Sequence, residues 1–181
     1  MLRATRKLAS LLPATGIGNS TSDTALGDWY VNRIVVDRQP LLLFVSSLSL
    51  LPMLLPARNV RSVPEQLADL VRRRLRNSGI DRRAIEAEVR AMTPVAIGPT
   101  IDRSVLGIVV DFAKAIPYHL EPGHWSEGDL RLVEEKLAET PCHASRPFSQ
   151  VIFPDKKTPE LLNAKWLAKR PLQPTVGPHI H

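Results

Sequence analysis

The chain has 181 residues, 44% of them apolar, and a formal charge of +6 from 24 Lys and Arg against 18 Asp and Glu. That length suits one domain with its own core, and that apolar content excludes an intrinsically disordered chain. The single cysteine, Cys142, excludes an internal disulfide and a thiolate-rich metal site and fits a reducing cytosol, while the positive balance permits an anionic partner without requiring one.

The first segment is basic at Arg3, Arg6 and Lys7 and then apolar, as a signal peptide begins, but Pro13 cuts it short and no export is expected. Residues 14–25, rich in Gly, Ser and Thr, read as a loop. Trp29–Val36 carries Val31, Ile34, Val35 and Val36 and predicts a strand. After the turn "DRQP" comes "PLLLFVSSLSLLPMLLPA", Pro40 to Ala57. It is shorter between its outer prolines than the ~20 residues of a spanning helix, so no membrane segment is expected. It predicts two buried strands, Leu41–Val45 and Leu50–Leu55, joined at "SSLS", with Pro52 placing the second at an edge or bulge.

Ser62-Val-Pro-Glu65 has the capping-box pattern and opens a helix with Val63, Leu67, Leu70, Val71 and Leu75 inward, ending at Gly79. Asp81 caps a second helix with Ile85, Val89 and Met92 buried, and "TPVAIGP" breaks it and adds a short strand. A third helix from Arg103 to Pro117 is apolar on most sides and predicts a central buried helix. Ser126 caps a fourth, Glu127–Glu139, and Thr158 opens a last one to about Ala168. The expected product is a single α+β domain over 1–168, a small mostly antiparallel sheet of about three to four strands packed with about five helices. A mobile C-terminal tail is expected over 169–181.

Three groups of residues could carry function. In a strand, Trp29, Val31 and Arg33 share one face and Tyr30, Asn32 and Ile34 the other, so one ring can enter the core while the second meets solvent or a ligand. Asp28, Tyr30 and Asn32 are then candidates to line a pocket, or Asp28 bonds the amides of its own turn. In "TIDRSVLG", Thr100–Gly107, a helix N-terminus with Arg103 and Ser104 offers an anion site, with Asp111 two turns on; alternatively Asp102 or Thr100 is a plain N-cap. Finally, Arg72, Arg73, Arg74 and Arg76 form a basic helix face, either a contact for phosphate or the solvated side of that helix, with Asp69 placed to pair with Arg73. His119, His124, Cys142 and His143 lack metal-ligand spacing, so neither metal nor cofactor is expected, and no motif names a reaction.

"LRATRKL", "LGDWYVN", "LLLFVSSLSLLPMLLP", "TIDRSVLG" and "ETPCHASRPFSQVIFP" together resemble an uncharacterised bacterial family marked by Leu-Gly-Asp-Trp-Tyr and Thr-x-Asn-Arg-Ser-Val-Leu-Gly, from about Leu2 to about Leu167. Gly27, Asp28, Trp29, Tyr30, Asn32, Arg103, Ser104, Gly107 and Asp111 match its motifs; Asp102 stands where the family has Asn, and Val109–Val110 replace a more polar pair. The resemblance implies no established activity and hints at mobile-element biology. It suggests that Asp28 meets Arg103, with Tyr30, Asn32 and Ser104 around them. Two functions follow as expectations. One is a cytosolic binding module that contacts a protein or nucleic acid through Arg72, Arg73 and Arg76 or through the Asp28/Arg103 cluster. The other is a small nuclease- or transferase-type toxin in which Arg103 stabilises an anion and Asp28 or Asp111 moves protons. A purely structural partner subunit is a third.

Overall fold

The computed structural model describes residues 1–13, 22–143 and 150–168. The segment 14–21 of the expected loop and the expected tail 169–181 lie outside these residues. The strands are β1 (Leu2–Ala4), β2 (Trp29–Val36), β3 (Gln39–Ser46), β4 (Pro52–Pro56) and β5 (Ile97–Pro99), in the order β4-β3-β2-β1-β5. A separate ribbon pairs β6 (Cys142–His143) with β7 (Val151–Ile152).

The expected antiparallel meander is present. β2 pairs with β3 from Trp29↔Ser46 to Val36↔Gln39, and β3 with β4 from Leu41↔Pro56 to Val45↔Pro52. Its first turn has Asp37 and Arg38 both at positive φ, 46° and 63°, the mirror-image turn whose twist suits a two-residue hairpin. The sheet is nevertheless mixed and five-stranded, not a mostly antiparallel one of three to four strands. β1 lies parallel between β2 and β5. It has three residues with Arg3 in the middle, so it shows no apolar alternation, and its partners at Trp29 and Ile97 are distant in sequence.

Helices cover both faces. On one, Trp29, Val31, Leu42, Phe44 and Met53 pack with α2 (Val63–Asn77) and α3 (Arg82–Met92), below α1 (Arg6–Ala9). On the other, Tyr30, Leu41, Leu43 and Val45 pack with α4 (Arg103–Ala115) and α5 (Glu127–Ala138). β3 therefore buries Leu41 to Ser46 without alternation, as strands enclosed on both sides do. The same enclosure corrects the expectation for the adjacent rings. Trp29 is 1% exposed and Tyr30 2%, one in each half of the core, and neither meets solvent.

The helix starts differ in two places. Ser62 makes no capping box: the chain enters α2 through a 3₁₀ turn, Val60–Ser62, which leaves Ser62 helical in φ and ψ. Its hydroxyl donates to the Asn59 carbonyl and accepts from Gln66 instead. The last helix, α6 (Pro154–Leu162), begins four residues before Thr158 with Pro154 in its first turn, then widens into a π-helical segment, Asn163–Leu167. Asp81 and Ser126 cap α3 and α5 as expected, the latter through a capping box with Asp129. Six α-helices result among the described residues, against about five expected, the extra one being the four-residue α1. α4 is not buried on most sides: Val105, Ile108, Val109 and Phe112 face the sheet, while Val110 is 47% exposed.

Candidate functional site

Asp28 closes a loop that ties four elements together. Gly27 sits at φ +76°, a conformation that glycine adopts without strain, and an added Cβ would lie 2.3 Å from Ser47 Oγ. That contact lets the β3–β4 turn dock on the loop. Ser47 N–H donates to the Asp28 carbonyl (2.8 Å), Asp28 N–H to Ser47 Oγ (2.9 Å) and Leu48 N–H to the Leu26 carbonyl (3.1 Å). The Asp28 carboxylate accepts from Arg3 Nε at 2.8 Å and Ser22 Oγ at 2.6 Å, with the Met1 amino nitrogen 3.6 Å away. Arg3 is 4% exposed, so β1 carries a buried cation that Asp28 neutralises. Burial pushes the Asp28 pKa up, but the hydrogen bonds from Ser22 and Arg3 and the nearby positive charges outweigh it and hold the pKa below the usual carboxylate value. Asp28 thus bonds neither the amides of its own turn nor Arg103.

The second motif begins on the same face of the sheet. The Tyr30 hydroxyl accepts from the Asp102 N–H at 3.0 Å, which fixes the start of α4 against β2. Asp102 is the N-cap: its Oδ1 accepts from Ser104 N–H (2.8 Å), Ser104 Oγ (2.6 Å) and Val105 N–H (3.4 Å). Val105 is fully buried. Arg103, Gly107 and Asp111 are exposed. Among the described residues neither the Arg103 nor the Asp111 side chain takes part in a hydrogen bond or ion pair, and a Cβ at Gly107 would meet nothing within 4 Å. The fold therefore brings Tyr30 to Asp102, which in turn holds Ser104, and leaves Arg103 and Asp111 at the surface. Asn32 is half-buried on β2.

A family model described as a domain of unknown function, DUF6933, matches residues 1–157. The chain belongs to the DUF6933 family. No curated protein and no solved structure matches it.

In this DUF6933 chain the arginine face of α2 is largely neutralised. Arg72 bonds Glu86 at 3.1 Å and also Asp69, Arg76 lies 3.9 Å from Glu86, and Arg73 lies 3.7 Å from Glu127. Asp69 thus pairs with Arg72 rather than Arg73. Arg74 is not on that face at all. It is 3% exposed, 3.5 Å from Glu134 of α5, and its Nε donates to the Pro52 carbonyl at 3.1 Å. Burial lowers the Arg74 pKa and raises that of Glu134, each effect opposed by the partner's charge.

This pair closes the free edge of β4. With Ala57 N–H bonded to Pro40 of β3, the outward positions are 52, 54 and 56. Pro52 and Pro56 have no N–H, and the Leu54 N–H donates to Glu134 Oε1 at 2.7 Å. No outward N–H of β4 is left to recruit another strand. Cavities of about 330 and 190 Å³ flank the pair, the first lined by Leu54, Arg73, Asn77, Glu127, Arg131 and Glu134, the second by Arg74, Asn77, Ser78, Asp155 and Thr158.

Four buried charged residues, Arg3, Glu88, Arg74 and Glu134, are organising residues that sequence reasoning missed. Glu88, 1% exposed, accepts from Ala25 N–H (2.8 Å), Leu26 N–H (2.9 Å) and Trp166 Nε1 (2.7 Å), fastening the loop before β2 to the C-terminal helix. For the three on helices the available signal was helical position. Glu88 shares a face with Ile85 and Met92, Arg74 with Leu67 and Leu70, and Glu134 with Leu130 and Leu137.

Cys142 is buried, and burial together with the Asp111 charge pushes its pKa up to about 11, so its thiol stays protonated at neutral pH. No three His, Cys, Asp or Glu side chains among the described residues converge as metal ligands. No helix among them is long and apolar enough to cross a membrane.

Proposed function

We propose that the chain is a cytosolic binding module whose partner is a protein, engaged through the outward face of α4. The observation that carries this is the division of labour between the two motifs. Every residue from Leu26 to Tyr30 is buried or bonded within the fold, as are Asp102, Ser104 and Val105. Arg103 and Gly107 have no such internal role. A glycine inside an exposed helix costs about 1 kcal/mol relative to alanine, and Gly107 returns nothing to the packing of its own chain.

The surroundings suit contact with protein. Ile101 (65% exposed), Val110 (47%) and Tyr118 (88%) lie along the same stretch, with Arg103, Asp111 and Lys114 among them. Apolar and aromatic groups beside arginine are the composition of interface cores. Nucleic acid is the weaker choice because Arg72, Arg73 and Arg76 already face carboxylates, and displacing those would offset counterion release. The catalytic alternative is weaker for a similar reason: Asp28, Tyr30 and Ser104 are engaged by internal hydrogen bonds.

A photo-crosslinking amino acid placed at Val110, against a control at Arg83 on α3, tests this in cells expressing the full chain. A discrete protein adduct from position 110 and none from position 83 is expected. Equal or absent adducts at both would overturn the α4 face. A salt series with random RNA and DNA decides the partner class: binding that falls steeply with salt would replace protein with nucleic acid.

A further inference from the structure

Resting on that reading of α4, we propose that the partner is a second copy of this chain, docked α4 against α4 in antiparallel fashion about a two-fold axis at Gly107. Arg103, Gly107 and Asp111 recur at intervals of four residues and so lie along one face of the helix. In an antiparallel pair centred on position 107, residue 103 of one copy faces residue 111 of the other, and glycine faces glycine. The face is thereby self-complementary, as a two-fold interface must be. Arg103 meets Asp111 of the partner twice, once on each side of the axis.

Three observations favour this occupant over an unrelated protein. First, the charges that would meet are opposite, exposed and unpaired within the described part of the chain. Second, Gly107 lies at their midpoint with open space where a Cβ would stand, so two helix backbones can approach closely there. Third, the adjacent apolar group, Val110, is 47% exposed and would lie beside the crossing point, where contact with the partner removes it from water. Neither charge has an intramolecular task that the pairing would disrupt. Asp102, not Arg103, caps the helix.

The size of the contact sets its strength. One crossing between two 13-residue helices is at the low end of specific interfaces, which bury upwards of ~1,000 Å² in total. Association is therefore expected to be weak and concentration-dependent rather than obligate.

Sedimentation equilibrium of the full chain up to about 1 mM, with thermal unfolding as a check on folding, tests the proposal. Wild type should show a monomer–dimer equilibrium. R103D and D111R should each weaken it at least ~10-fold, because each places like charges opposite one another on both sides of the axis. The double exchange R103D/D111R should return the equilibrium to near the wild-type value. A G107L chain should be monomeric while unfolding no earlier than wild type. A wild-type chain monomeric throughout, or a dimer indifferent to the single reversals, would overturn the second copy. The crosslinking experiment separates this from failure of the binding reading: an adduct of twice the chain mass at position 110 supports self-association. An adduct with a different protein overturns it while keeping the α4 face.

Discussion

Replacing Gly27 and Gly107 by alanine should move stability in opposite directions, and the magnitudes can be worked from the surroundings of each glycine. At Gly27 the φ of +76° is costly for a residue with a Cβ, by roughly 1–2 kcal/mol. The new Cβ would also stand 2.3 Å from Ser47 Oγ and 2.9 Å from Leu48 Cγ, so the Ser47 hydroxyl must move away. It then no longer accepts from the Asp28 N–H, and a buried donor left without a partner costs about 1–3 kcal/mol more. The sum is a loss of about 2–5 kcal/mol, a large part of the ~5–15 kcal/mol that holds a domain of this size. At Gly107 the backbone is helical and a Cβ meets nothing within 4 Å, so alanine should add up to about 1 kcal/mol. Urea unfolding of G27A, G107A and wild type, followed by circular dichroism with a common m-value, measures both. A G27A chain within about 0.5 kcal/mol of wild type, the range of ordinary surface substitutions, would refute the claim that the loop before β2 depends on that close approach. If G107A destabilised the chain, Gly107 would have an internal role and the case for α4 as a contact face would fall.

Four other variants probe the buried charges and the first hairpin. E134A should cost about 3–5 kcal/mol because it strands Arg74 in the interior and leaves the Leu54 N–H unbonded, whereas R74M/E134L should recover much of that loss in chemical denaturation. The Asp28 pKa is lowered in the folded state, so its ionised form contributes stability above the ordinary carboxylate pKa of about 3.9, and that contribution disappears as pH falls through the lowered value. D28N should lower stability at pH 7 and flatten its pH dependence in that acid range; an unchanged acid limb would exclude Asp28 as its source. R38G should raise the unfolding midpoint by an amount equivalent to about 1 kcal/mol, since Arg38 holds φ 63° in a turn that favours glycine there, and a lowered midpoint would show that the Arg38 side chain contributes more than its backbone strain costs.

Local rules were enough for the elements whose signals are local. The strand Trp29–Val36 comes from its β-branched run, the end of α2 from Gly79, and the caps of α3 and α5 from Asp81 and Ser126. Each depends on residues within a few positions, so the sequence by itself determined them. The same holds for the apolar hairpin and for the expectation that Tyr30 and Trp29 point to opposite sides of the sheet. Where Ser62 departed from its expected cap, the cause was also local, a preceding 3₁₀ turn that no spacing rule registers.

Tertiary structure alone decided which charges are inside. Arg3, Arg74, Glu88 and Glu134 look like surface residues because a charge is normally solvated, and their burial depends on partners 25 to 96 positions away for Arg3 and Glu88 and 60 for the Arg74–Glu134 pair. β1 is a strand for a related reason: three residues have too little propensity of their own, and parallel pairing on both sides supplies what the local sequence lacks. The same long-range assembly turned Tyr30 from a candidate ligand contact into a core residue by laying α4 over its ring, and left Arg103 outside. A sequence specifies which groups can form a bond; which of them meet is set only when distant segments compete for the same buried space.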